Sequence, residues 1–195
     1  MHPNKAFRFA DDAAMRTFVE KHAFAHLFVA TSDGPMVAHV PLTPARGGGF
    51  RFHIARHNRI TAHLDGATVL ASVAGPDGYI SPDWYAEPKD EVPTWNYAAV
   101  EIDGTTHALT ETDLVEQINA LSHIYEGRLA PKPAWTRDKV ALHKLAAMYR
   151  AIECFEFRPT ALRGTSKYSQ NKSDADRAGL RAALGDTPLA RAILA

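Results

Sequence analysis

Behind Asp11 and Asp12, the apolar residues Met15, Phe18 and Val19 recur at helical spacing, which predicts a capped amphipathic helix opening the fold. From Ala23 the pattern shifts to short β-rich runs split by turn residues: AHLFVAT, SDGP, MVAHVPLTP, RGGG and FRFHIA. An antiparallel meander is expected there. Within residues 55–66 (ARHNRITAHLDG), Ile60 and Leu64 lie four apart and Asp-Gly closes the segment, so a short helix is predicted between strands. ATVLASVAG then reads as another strand.

Residues 76–93 contain Pro76, Pro82, Pro88 and Pro93 together with Gly78, Trp84 and Tyr85, which predicts a long ordered loop of the kind that usually carries function. TWNYAAVEIDGTTHALT is β-branched and aromatic around a central Asp-Gly, so a hairpin is expected. Helical periodicity spans 112–126 and 138–148, joined by the turn-rich LAPKPAW, and AIECFEFRPTALRG supplies a last strand. Ser173 and Asp176 form a capping-box-like pair before ADRAGLRAAL, placing a late helix just after KYSQNK. No repeat, low-complexity segment or linker divides the chain. The expectation is one domain over residues 1–195, with a β core, helical trim and a C-terminal helical extension.

The composition changes little in this picture, with 46% hydrophobic and 23% charged residues. Twenty-two Lys+Arg balance 22 Asp+Glu, so no overall field would hold the chain to nucleic acid or anionic lipid. The single cysteine, Cys154, lies in the apolar run AIECFEF and reads as a buried thiol acting as a small hydrophobe. A lone reduced cysteine, no apolar stretch near membrane-spanning length and no secretory pattern at the start lead to the expectation of a cytoplasmic protein without a membrane role.

Ten histidines raise the question of a metal, and His22 with His26, or His53 with His57, have the spacing of two ligands on one helical face. His53 however falls on a predicted strand and no cysteine or carboxylate cluster accompanies these pairs, so structural or surface histidines are expected. There is no G-x-S-x-G elbow, no G-x-G-x-x-G fingerprint and no P-loop, which sets aside triad hydrolase, Rossmann and P-loop chemistry. ARHNR at 55–59 and KYSQNK at 167–172 each combine cations and amide donors before a predicted helix, a composition suited to a dianionic phosphate. Solvated Arg56, Arg59 and Lys172 with turn-forming Ser169, Gln170 and Asn171 account for the same segments, and on spacing alone this is the favoured reading. Tyr79, Trp84, Tyr85, Trp95 and Tyr97 offer faces for a flat heteroaromatic ligand, or simply cover the sheet.

GYISPDWY with VPTWNY, followed by AIECFEF and LRGTSKYSQNKSDADRAGL, resembles the signature segments of the PaiB-type FMN-binding negative transcriptional regulators. HVPL and GGFRFHIARHN fit the same order, so the resemblance covers essentially the whole chain. That family is similar to the pyridoxamine-phosphate oxidase-like flavoproteins. The resemblance therefore implies a mainly β protein with helices (α+β): a six-stranded antiparallel Greek-key split β-barrel with peripheral helices, dimeric, with FMN shared across a homodimer interface. It assigns the FMN phosphate to Ala55, Arg56 and Asn58 and places His39 near the flavin. It lines the cofactor groove with Ser81, Trp84, Tyr85, Thr94, Trp95 and Asn96, and brings Lys167, Gln170 and Asn171 to the cofactor or its edge. The linker in SPDWYAEPKDEVPTWNY departs from the family pattern in being short and acidic.

For function, the resemblance implies a regulator that senses redox or ligand state through FMN. DNA enters as a partner through that family label only, since no helix-turn-helix signature is present. The alternatives are an FMN-dependent oxidoreductase of the pyridoxamine-phosphate oxidase-like class, for which no catalytic acid or base stands out, and a haem-binding or haem-degrading split barrel.

Overall fold

The computed structural model describes residues 2–88 and 90–194. Helix α1 (Asp12–His22) starts where the Asp11 carboxylate accepts the Ala14 amide at 2.8 Å, satisfying one of the N–H groups a helix start leaves unpaired, and it buries Met15 and Val19. Strands β1 (Phe24–Thr31) and β2 (Gly34–Pro41) form an antiparallel hairpin. Ala25, Leu27 and Val29 point inward opposite Val40, Ala38 and Met36. A slip of one residue would turn that whole set to solvent, so burial fixes the register.

Leu42 interrupts the MVAHVPLTP run by donating its N–H to the Ala23 carbonyl, and a separate two-residue strand, β3 (Thr43–Pro44), follows and pairs with β4 (Phe50–Ala55). β4 in turn pairs antiparallel with β7 (Ile152–Lys167). Their opposed Phe52 and Phe155 rings stack at 5.5 Å, and Phe50 stacks on Phe157 at 6.4 Å, all four fully buried. With β5 (Thr68–Ile80) and β6 (Thr94–Ala108), the sheet order is β2-β1-β5-β6-β7-β4-β3. The architecture is mainly β with helices, as expected. The count is seven strands rather than six, running open from β2 to β3, because the break at Leu42 makes two strands of one apolar run.

Three further expectations are corrected. The Asp103-Gly104 pair is not a hairpin turn: β6 runs unbroken through it. Gly104 is there because a Cβ would stand 2.2 Å from the Arg158 carbonyl oxygen and 2.5 Å from the Phe157 ring, a close approach that only glycine permits. The helix expected over 55–66 shrinks to a 3-10 turn at Thr61–His63, although Ile60 and Leu64 are both fully buried. Asn58 caps the Ile60 amide and the Thr61 hydroxyl bonds the Ala55 carbonyl, so local side chains hold the backbone in a turn. The loop expected over 76–93 begins later, since β5 continues through Pro76 and Gly78 to Ile80; its neighbour β6 carries it past residues that local chemistry reads as breakers.

Helix α2 (Glu111–Gly127) opens with a capping box of Thr110 and Asp113 and lies on the outward face of β4. Arg51 there bridges Asp113 at 3.1 Å and Glu116 at 3.2 Å, and Gln117 reaches both His53 and Thr43. A 3-10 turn at Arg137–Lys139 precedes α3 (Leu142–Arg150). Helix α4 (Asp174–Leu184) carries the expected Ser173 cap, and α5 (Pro188–Leu194), which the pattern did not foresee, follows it. The chain divides into two compact units, Met1–His22 with Val73–Glu101 and Leu162–Ala195, and Ala23–Ser72 with Ile102–Ala161.

Candidate functional site

In the unit formed by 23–72 and 102–161, the 55–58 turn that follows β4 is fixed by backbone bonds, Arg56 N to Ala151 O and Asn58 N to Ala55 O, both 2.9 Å. Ala55, Arg56 and Asn58 are all exposed. The Arg56 guanidinium folds back on its own chain: Nη1 meets the Glu153 carboxylate at 2.6 Å and Nε donates to the Arg150 carbonyl at 2.9 Å. Because the helix expected here is a single 3-10 turn, the dipole part of the phosphate argument falls away. What remains is charge and amide donors, with exposed His57 and Arg59 alongside. His39 sits exposed on β2, its ring edge-on to His26 at 4.8 Å and stacked on Phe24 at 6.3 Å.

In the other unit, the two aromatic-polar motifs meet each other. Asn96, fully buried on β6, donates Nδ2 to Ser169 Oγ at 2.7 Å, and Lys167 Nζ donates to Thr94 Oγ1. Ser169 also hydrogen-bonds Tyr85. Two features of this network are costly. Asn96 Oδ1 is buried with no hydrogen-bond partner among the described residues, and Ser169 holds a φ of +59°, a conformation non-glycine residues rarely adopt. Strain of this kind tends to persist where function requires it. Burial pulls the Lys167 ammonium below its usual value, and burial pushes the Tyr85 hydroxyl up against the opposing pull of Lys172.

The remaining expected residues divide by what they do. Tyr85 is core: it packs with Ile80, Leu180, Leu189 and Ile193, with the Lys172 ammonium 4.6 Å above its ring. Trp84 packs against that cluster, its turn locked because Gly179 of α4 brings the helix so close that a Cβ would lie 2.2 Å from the Trp84 carbonyl. Ser81 caps the turn at Pro82–Trp84, and Asp176 takes the Ala86 amide at 3.0 Å. Gln170 spends its amide on the Tyr168 N–H and the Ala6 carbonyl, while Asn171 is exposed. Trp95 presents a half-exposed ring, its Nε1 held by Asp77 at 2.9 Å, edge-on to an equally exposed Tyr79. Sequence reasoning named Tyr79 among the candidate stacking rings but passed over Ser169 as more than a turn former. Nothing local signals a positive φ at a serine.

Elsewhere, Cys154 is buried and burial pushes its thiol up to about 11, so it is no nucleophile at neutral pH. Among the described residues no three His, Cys, Asp or Glu side chains gather as a metal centre would need, and no helix is long and apolar enough to cross a membrane.

The family model for an FMN-binding domain matches residues 1–161. The chain is similar to the protease synthase and sporulation protein PAI 2 of Bacillus subtilis (strain 168), 26% identical over 180 residues that cover 90% of this chain and 85% of that protein. In fold it is similar to the FAD and haem binding protein from Mycobacterium smegmatis, with a TM-score of 0.61, 16% identity and coverage of 88% of this chain and 78% of that one. It is also similar to the flavocytochrome Anf3 from Azotobacter vinelandii, with a TM-score of 0.59, 13% identity, and 86% and 72% coverage. The chain belongs to the FMN-binding domain family to which its PaiB-type motifs pointed, and FMN is its cofactor.

Proposed function

We propose that this protein is a homodimeric FMN flavoprotein of the PaiB type, with a split-barrel dimer holding the cofactor. The observation that carries this is the Asn96–Ser169 bond: it ties the P-T-W-N-Y strand to the K-Y-S-Q-N loop around an unpaired buried acceptor and a strained serine. These residues fit a flavin. A ring N–H is a donor of the kind Asn96 Oδ1 lacks, Lys167 and Thr94 are donors beside it, and Tyr79 and Trp95 offer faces for stacking. Arg56 and Asn58 are assigned to the phosphate, where the guanidinium exchanges Glu153 for a dianion.

When bound, FMN supplies electron and hydride transfer. This chain's own groups would hold it: Asn96 and Lys167 by hydrogen bonds, Asp77 by holding the Trp95 indole in place, Ser173 and α4 by fixing the loop that carries Ser169. A regulatory role, which comes from the PaiB resemblance, is then one of sensing through the flavin. The equal numbers of basic and acidic residues offer DNA no field, so direct duplex binding enters through that resemblance alone.

Native mass spectrometry of protein incubated with FMN tests the assembly. A dimer carrying one FMN per chain is expected, whereas a flavin-free monomer at every FMN concentration would overturn it.

A further inference from the structure

We propose that the cavity lined by the N-terminal segment, α1 and the C-terminal half of β7 is a second ligand site, one for a monocarboxylate with a small apolar body such as an aromatic acid. The cavity measures about 390 Å³ and lies wholly within the unit that contains Met1–His22 and Leu162–Ala195. That volume is within the range of pockets that enclose small organic ligands. None of the residues assigned to FMN lines it.

Its polar side chains are all donors. They are His2, Arg8 and Arg163, and no Asp or Glu lines the cavity among the described residues. His2 Nδ1 accepts the Asn4 backbone N–H at 3.2 Å; a backbone amide only donates, so the imidazole proton sits on Nε2. Arg8 is exposed, and its guanidinium makes no hydrogen bond or ion pair with the described residues, while Arg163 shares its charge with Glu101 across 3.5 Å. Two guanidinium forks and a ring N–H select a group that only accepts and carries negative charge, as a carboxylate does.

The rest of the lining is apolar and held in place. The Phe9 ring stands edge-on to Phe18 at 5.3 Å, and Met15 is buried on α1. A Cβ at Gly164 would stand 2.5 Å from the Phe9 ring and 2.9 Å from Met15 Sδ, so both side chains rest directly on the β7 backbone. The segment that carries Arg8 is tied down as well. The His2 backbone N–H donates to Thr165 Oγ1 at 3.0 Å, Asn4 caps the 3-10 turn at Lys5–Phe7, and Phe7 is buried. Guanidinium donors beside a fixed apolar wall suit an anion with an apolar body, since a bare anion would leave that wall in water.

Benzoate and benzamide share one shape, but only benzoate is charged; acetate has the charge without the ring. Titrated into FMN-loaded protein and followed by ligand-observed NMR, benzoate should bind saturably with the flavin absorbance unchanged. It should bind about 3- to 10-fold tighter than benzamide, the worth of one charge-assisted contact at a partly exposed site, and tighter than acetate. Arg8→Gln should erase the preference over benzamide. Leu162→Glu, which sets a carboxylate against the anion, should abolish benzoate binding while far-ultraviolet circular dichroism stays as in the wild type. The proposal is overturned if benzoate binding does not saturate, if benzamide or acetate binds as well as benzoate, or if either variant binds benzoate as the wild type does. A flavin spectrum that shifts on adding benzoate, or FMN that displaces benzoate from flavin-free protein, would also overturn it by placing the ligand at the flavin.

Discussion

Asn96 Nδ2 donates to Ser169 Oγ at 2.7 Å, joining two segments 73 positions apart in the chain. Ser169 reaches this bond only by adopting a φ of +59°, so the contact carries a backbone cost that a relaxed loop would avoid. Asn96→Ala should therefore destabilise the protein by about 1–3 kcal/mol in urea unfolding, since it strips a buried polar network of one partner. It should also weaken FMN binding.

Ser169→Gly separates strain from function. Glycine adopts a positive φ freely, so the relief offsets the lost hydrogen bond and stability should change by less than about 1 kcal/mol. FMN affinity should nevertheless fall, as read by flavin fluorescence. If affinity holds while stability drops, the serine is only a structural link.

Glu153 competes for Arg56 in the flavin-free chain at 2.6 Å. Glu153→Gln removes that competitor and should tighten FMN binding by up to about 5-fold, in line with the 0–1 kcal/mol of an exposed ion pair. Fluorescence titration reads the change, and a looser complex would show that Glu153 positions the arginine instead.

Gly104→Ala places a methyl group 2.2 Å from the Arg158 carbonyl. The strand must move to admit it, and a loss of about 3 kcal/mol is expected in chemical unfolding.

Two groups set opposite pH slopes. Thr110 hydrogen bonds, chiefly, hold the Asp113 carboxyl below its usual value; its stabilising effect is therefore present above the ordinary carboxylate range and lost as pH falls through it. Cys154 has a folded value of about 11 against an ordinary 9.0, so the folded chain binds the extra proton and stability declines as pH rises across that window. Urea midpoints measured against pH should show both slopes, with Asp113→Asn flattening the acid one and Cys154→Val the alkaline one.

What the sequence disclosed follows from how local each signal is. The α1 and α4 helices were legible from caps that act within a few residues, Asp11 and Ser173 each bonding an amide three positions on, and α2 from its apolar spacing, while its Thr110 cap went unread. The Asp103-Gly104 pair misled because its glycine answers to Arg158, more than fifty residues away, and not to a turn. The 55–66 helix failed because Asn58 and Thr61 offer the backbone competing bonds. The site residues were carried by family resemblance; that Tyr85 serves the core and Arg56 pairs with Glu153 depends on contacts that no local pattern encodes.

The phosphate assignment is tested most directly by comparing FMN with riboflavin, which lacks the phosphate, on wild-type protein and Arg56→Ala. If Arg56 grips the phosphate, the substitution weakens FMN by about 1.5–3 kcal/mol, the worth of a charge-assisted hydrogen bond, and leaves riboflavin unchanged. An FMN-to-riboflavin affinity ratio that is the same in both proteins would contradict it.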